Sequence, residues 1–250
     1  MKLIINADDL GISKGVSDGI LYLYNKGVIT STSIFANLPF TPYGIEVYKK
    51  ANFLDVGLHV NLTVGNSLTN NKKLCPFTCD KLVDVEYKDK LLNSVSYKEA
   101  KEEIYEQLNL LTKNGVIISH INAHGGITKY EEIVNAILDV ALEESLPTRC
   151  FEEKIKIKAR EKNLTFADEF YMNFFNNGVK FETLQKIIED NSNLDKTVEI
   201  MTHIGFVDEY LMNFSNYNLN RETELNVLED FFTNAKFQNV EFITHKDLRL

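Results

Sequence analysis

Cysteine is scarce in this chain: of its 250 residues only Cys75, Cys79 and Cys150 are cysteines. The count is odd, and no second Cys or His pair lies near Cys75 and Cys79 to complete a structural zinc site, so reduced thiols are expected. Positive charge is in deficit. Lys and Arg number 27 against 36 Asp and Glu, a net charge of -9, which leaves no basic footprint for nucleic acid or an anionic membrane. Long apolar runs are missing too. The longest conspicuous uncharged stretch, residues 27–45, carries Thr, Ser and Asn together with Pro39 and Pro42, which argues against a membrane span. The chain opens directly on a strand pattern, without the charged and apolar regions of a secretory signal. A cytoplasmic location is the expectation. Neither a repeat nor a low-complexity linker interrupts the chain, and its length with 44% hydrophobic content is ordinary for one α/β domain spanning residues 1–250.

What is present is an alternation of apolar runs with helical patterns, the signature of parallel βαβ units. Helical spacing covers 15–26, 43–51, 97–114, 131–144, 181–189 and 222–235. Strand patterns precede or follow them at 3–5, 30–36, DVGLHVNLTVG, VIISHINAHGGI, PTRCF, TVEIMTHIGF and VEFITH. Residues 65–95 are polar and too long for an ordinary connection, as lids and binding loops often are. Residues 151–177 show no clear pattern. There are about seven strand candidates, and a barrel of parallel strands gathers its strands' C-terminal ends at one mouth. Asp8, Asp9, His59, His124, Arg149 and His203 all fall at such ends.

The opening, KLIINADDLGIS, runs an apolar strand into two adjacent carboxylates. Like charges at the end of a buried strand are unfavourable unless water, a cation or a hydrogen-bonding shell receives them. Gly11 offers a turn that lets both reach one cleft, with Ser13 placed to cap the next helix. His59 and Asn61 share one strand face, as do His120, Asn122 and His124. A lone His59 or His120 is more often a core histidine than a ligand, yet Asp, His and His converging from three strands form a site with open coordination positions. Arg149 either neutralises the acids or takes part directly. His203 is expected to titrate near neutrality and serve as an acid. His245, beside Lys246, is expected at the surface.

The segments NADDLGIS, GVITSTSIFAN, VGLHVNLTVG, SHINAHGG and EIMTHIGF resemble, in order and spacing over nearly the whole chain, the YdjC-like carbohydrate deacetylase family, which includes chitooligosaccharide deacetylase. The resemblance implies an α/β fold, a distorted (β/α) barrel of about seven parallel strands like that of the polysaccharide deacetylases, which removes acetyl groups from small N-acetylated sugars with one divalent metal ion, Mg2+ or Zn2+. It assigns Asp8 as general base and Asp9, His59 and His124 as metal ligands, and puts Arg149 and His203 near the active site. Asn61 and Asn122 are candidates for substrate binding, and homodimers are common in similar proteins. One departure stands out: Asn122, Gly125, Gly126 and Thr128 occupy positions where the family usually has an aspartate and further histidines. It leaves room for a hydrolase or lyase acting on another bond, or for a sugar-binding member.

Overall fold

The computed structural model describes residues 1–51 and 55–249. Seven strands, β1 (Lys2–Leu10), β2 (Ser31–Ile34), β3 (Asp55–Val60), β4 (Ile118–Ala123), β5 (Glu169–Tyr171), β6 (Thr197–Thr202) and β7 (Glu241–Phe242), form one sheet. Its order is β4-β3-β2-β1-β6-β5, with β7 also pairing with β1, and every pairing is parallel. Beyond β4 the sheet curls on through a single bridge, Ile121 to Thr148. The backbone N–H of Ile121 donates to Pro147 at 2.9 Å, and that of Arg149 donates to Ile121 at 3.1 Å. The PTRCF segment is therefore a bridge and not a full strand, because Pro147 has no N–H and Thr148 gives its own to Thr165.

The strand faces divide by chemistry. Leu3, Ile5, Ala7, Val56, Leu58, Val60, Val198 and Ile200 join the apolar core outside the curl. Helices α1 (Lys14–Asn25), α2 (Thr41–Ala51), α4 (Tyr97–Lys113) and α5 (Glu131–Glu143) lie over it. Ile104, Leu108 and Leu111 of α4, like Ile133, Ile137 and Val140 of α5, recur at helical spacing and are buried in that core. The alternate strand positions, among them Asn6, Asp8, Ser31, Ser33, Asp55, His59, His120, Asn122 and Glu199, are buried and polar. They line the inside of the curl. Ser13 caps α1, accepting from the Val16 N–H.

Other expectations need correction. Residues 65–95 hold a 3-10 turn (Asp80–Leu82) and α3 (Val85–Leu92), and the unassigned 151–177 stretch supplies α6 (Glu153–Glu161) and β5. His245 is not at the surface. It begins a 3-10 turn after β7 and is buried inside the curl, drawn there by hydrogen bonds to Ser31 and Asp55. Helices α7 (Phe181–Asn191), α8 (Glu209–Phe214) and α9 (Leu219–Asn234) complete the chain. Among the described residues no helix is long and apolar enough to cross a membrane.

The loop after β6, which starts with His203, is clamped to α1. A Cβ on Gly19 would lie 2.7 Å from the Gly205 Cα, so helix and loop meet backbone to backbone. Asp208 accepts from the Gly15 N–H at 2.6 Å, and the Phe206 N–H donates to the Gly15 carbonyl at 3.1 Å. In an open helix Gly19→Ala would stabilise by up to ~1 kcal/mol. Here the clash reverses the sign, and the variant should lose about 1–3 kcal/mol in urea unfolding. An unchanged or raised midpoint would show that this contact is not tight.

Candidate metal centre and catalytic cluster

Asp8 and Asp9 reach the same interior because β1 is bulged. Its register against β2 shifts between Ala7 and Leu10, and Asp9 has a left-handed φ of +77°. A bulge re-aims one side chain of an otherwise alternating strand, and Asp tolerates left-handed backbone better than a branched residue. The device is thus this bulge, two residues ahead of the expected turn at Gly11.

Asp9, His59 and His124 converge. Asp9 Oδ1 lies 3.1 Å from His59 Nε2 and 3.5 Å from His124 Nδ1. Asp9 Oδ1 and His59 Nε2 are both buried without a hydrogen-bond partner. Unmatched polar atoms in an interior are costly, and a cation between them would satisfy both, so the donor set fits a divalent metal. Phe35 packs beside both imidazoles, its ring meeting His59 and His124 edge-on with centroids 4.9 Å from each, while the two imidazoles meet each other edge-on at 5.3 Å. The far side of every ligand is engaged. His59 Nδ1 faces Asn122 Oδ1 at 2.7 Å, His124 Nε2 faces Asp80 Oδ1 at 3.4 Å, and Arg221 Nη2 donates to Asp9 Oδ2 at 2.6 Å. Such outer partners fix tautomer and ring orientation. The Asn122 amide also fits reversed, with its nitrogen on His59 Nδ1. Ligation through His59 Nε2 selects the orientation in which the amide oxygen accepts from Nδ1–H.

Beside this trio stands Asp8. Arg149 Nη1 donates to Asp8 Oδ2 at 2.7 Å and Nη2 to Oδ1 at 2.8 Å, while Asn6 donates to Oδ1 at 2.6 Å. Burial alone would raise the Asp8 pKa, but the adjacent guanidinium outweighs it and holds the carboxyl well below the usual carboxylate range. The other edge of Arg149 meets Glu199, with Nε at 2.8 Å. Its flat face lies over Phe170, 4.9 Å from the ring centroid.

His203 lines the same cavity but does not titrate near neutrality. Burial pushes it down to about 4, although the Asp9 and Asp8 carboxylates pull the other way. Its backbone N–H donates to Glu224 at 2.6 Å, and burial raises that carboxyl to about 7. Phe175 and Tyr217 stack on each other and flank the His203 ring at 5.3 and 5.7 Å. The cavity, of about 190 Å3, is lined by Asp8, His59, His124, Arg149 and His203 on one side and by Phe151, Phe170, Met172 and Phe175 on the other.

Asp8, Asp9, His59, His124, Arg149 and His203 are thus brought together. Asn61 and Asn122 are buried and bonded to other residues of the chain. Asn61 is fully buried and spends its amide on Asn37, Thr63 and Val64, stabilising the turn after β3. Asn122 is wedged between His59 and Ser33, close to Asp8. Four neighbours were missed by sequence reasoning: Asp80, Glu199, Arg221 and Glu224. Only Glu199 carried a signal, since it shares the inward strand parity of Met201 and His203.

Comparison with known proteins places this geometry. The family model described as YdjC-like protein matches residues 2–238. A carbohydrate deacetylase from Clostridium beijerinckii is 32% identical over 212 residues, covering 82% of this chain and 82% of its own. A solved structure of a candidate cellobiose-phosphate cleavage protein from Enterococcus faecalis aligns with a TM-score of 0.85 at 23% identity, over 100% of this chain and 99% of the other. The Xyl-CE4 domain of a multidomain xylanase from the hindgut metagenome of Trinervitermes trinervoides aligns at TM-score 0.53 and 10% identity over 99% of this chain and 88% of the other. These two likenesses establish the polysaccharide deacetylase-like fold.

Titrating metal-stripped protein with Zn2+ should show one ion per chain. His59→Ala, His124→Ala and Asp9→Asn should each weaken binding by more than ~100-fold, beyond the range for losing an outer partner. Asp80 and Asp9 together overcome burial and raise His124 to about 10, so at pH 7 it is protonated before metal binds. Binding must displace that proton: affinity should fall as pH falls, with about one proton released per ion near pH 7. Calorimetry in two buffers of different ionisation enthalpy reads this directly. Unchanged affinity in a variant would remove its residue from the ligand set.

Proposed function

Because this chain belongs to the YdjC-like protein family, we propose that it is a metal-dependent carbohydrate deacetylase that hydrolyses the acetamide of a small N-acetylated sugar. The observation that carries this reading is a convergent Asp9–His59–His124 trio, two of whose buried atoms are unmatched, beside a guanidinium-held Asp8 that shares a cavity with His59 and His124. Binding alone would need no anchored base beside the ligands. Further curated relatives from other bacteria bear the carbohydrate deacetylase name as well.

A divalent ion held by Asp9, His59 and His124 would polarise the amide carbonyl and acidify a water toward a pKa of about 7. Two imidazole nitrogens among three donors favour Zn2+ over Mg2+, which prefers oxygen. Asp8 accepts the proton of the water as its oxygen bonds to the carbonyl carbon. Held far below the usual range, Asp8 is a weak base, which suits a water that is already acidified. Cleavage of the C–N bond requires a proton on the departing nitrogen. His203 is neutral at rest, so this proton reaches it during turnover. Asp8, which has just received one and lines the same cavity, is the source at hand. Negative charge developing on the adduct raises the His203 pKa and favours the transfer. The apolar wall of Phe151, Phe170, Met172 and Phe175 receives the acetyl methyl and the C–H face of the sugar.

Asp8→Asn should keep the metal and lose about 100-fold or more in rate, the range for a removed general base. Equal loss of metal in Asp8→Asn and Asp9→Asn would show the pair to be misassigned. His203→Ala separates two roles by leaving group. Loss of a general acid slows acetamide cleavage by about 100-fold yet barely affects an aryl acetate, whose leaving group departs as a stable anion. An equal fractional loss on both substrates would rule out the acid role.

A further inference from the structure

Deeper inside the curl, beneath Arg149, lies a second buried group of ionisable side chains: Asp55 on β3, His120 on β4, Glu199 on β6 and His245 after β7. Asp55, His120 and His245 are close enough together to suggest another metal centre. Their ring geometry argues against it. The two imidazoles are stacked with centroids 3.6 Å apart and planes 16° from parallel, so their in-plane lone pairs run side by side and do not converge. Each Nδ1 is already engaged by a hydroxyl, His120 by Ser119 at 2.9 Å and His245 by Ser31 at 3.0 Å. The stack is also fixed from behind. A Cβ on Gly57 would lie 2.3 Å from His120 Nε2, so only glycine leaves room for the ring.

What the group does contact is Arg149. Glu199 Oε1 accepts from Arg149 Nε at 2.8 Å and lies 2.7 Å from Nη2. His245 Nε2 faces the same Oε1 at 3.6 Å, and its Nδ1 faces Asp55 Oδ2 at 3.4 Å. We propose that Glu199, backed by His245, is a positioning residue for the catalytic base: it holds one edge of the Arg149 guanidinium so that the other edge presents two donors to Asp8. This rests on the reading of Asp8 as base.

The physical reason is the rigidity of the guanidinium. Its five donors form a planar fork, so fixing one edge fixes the other. Without Glu199, Arg149 would be held at its head only by Asp8 and the face of Phe170, both at the open cavity. Charge supports the same assignment. Asp8, Glu199 and Asp55 bring three buried carboxylates to one column, and Arg149 answers only one in full. His245 stands against the other two: burial alone would lower its pKa, but the carboxylates of Asp55 and Glu199 raise it above its ordinary value and so favour its charged form. Lys246 Nζ stands 3.8 Å from Asp55 Oδ1. His120 stays neutral, held down by burial and by the adjacent His245.

The test compares Glu199→Gln with Glu199→Asp and with His245→Gln, all in the full chain. The Arg149 Nε–H should give a protected, slowly exchanging NMR signal in the wild type, independent of any activity. It should be lost in Glu199→Gln and retained in Glu199→Asp. On an acetamido sugar Glu199→Gln should lower kcat by about tenfold or more, approaching the ~100-fold that a 1 Å misplacement costs, with KM and Zn2+ affinity unchanged. Combined with Arg149→Lys it should have little further effect, because the two act as one unit. If Glu199→Gln fails to fold, His245→Gln replaces it, with a smaller effect in the same direction. An unaltered Nε–H signal, or a kcat loss that adds fully to that of Arg149→Lys, would overturn the proposal. Wild-type protein that releases no acetate but shows the protected signal and its loss would instead sink the deacetylase reading and leave the positioning intact.

Discussion

A carboxylate inside a curled sheet, away from bulk water, persists as an anion only when a partner neutralises it, and for Asp8 that partner is Arg149. The pair sits at the middle of a column of polar side chains that fills the inside of the curl, while the apolar core lies outside it under the helices. Desolvating both ions is expensive, and removing one partner of such a pair typically costs about 3–5 kcal/mol because the other charge is left stranded. The remaining groups of the column follow from this need. Glu199 shares the guanidinium, His245 answers Glu199 and Asp55, and Gly57 is bare so that His120 can stack on His245.

The same column explains why chemistry collects at one end of it. At the mouth, strand alternation and the β1 bulge bring Asp9, His59 and His124 within reach of one another, and there the polar groups no longer satisfy each other. Asp9 Oδ1 and His59 Nε2 are buried within reach of each other and remain unmatched. Farther along the column Asn6 Oδ1, Asp55 Oδ1, His120 Nε2 and His245 Nε2 are unmatched as well, but the two imidazoles there are stacked and do not aim their nitrogens at one point. The difference between a site and its scaffold is thus whether convergent donors are left over. Segments from outside the sheet finish the site: Asp80 comes from the long 65–95 connection and Arg221 from α9.

Most of the mouth was legible because parallel strands impose a period of two and a common end. Asp8, Asp9, His59, His124, Arg149 and His203 could be read from their places at strand ends, together with the alternation that gave the fold. The same rule reads Asn61 and Asn122 as inward-facing, but it could not show that Asn61 falls in the turn after β3 or that both amides bond to neighbours. Glu199 obeys the rule and was passed over, since a single acid inside an apolar strand reads as noise until its cation is seen. Arg221, Asp80 and Glu224 lie on a helix and a loop where no periodicity points inward. His245 was misplaced because a charged neighbour, Lys246, suggests solvent, whereas the chain after β7 turns back beneath the barrel. The His203 titration was misjudged for a related reason: burial is a tertiary property, and it moved the group well below its usual range.

The central claim, that the Asp9–His59–His124 trio and the guanidinium-held Asp8 form one hydrolytic site, is tested most directly by acetate release from N-acetylglucosamine oligomers before and after metal depletion. The account predicts that chelation abolishes release and that one equivalent of a divalent ion restores it. Acetate release that persists in metal-free protein, or stoichiometric metal binding with no release from any acetamido sugar, would contradict it.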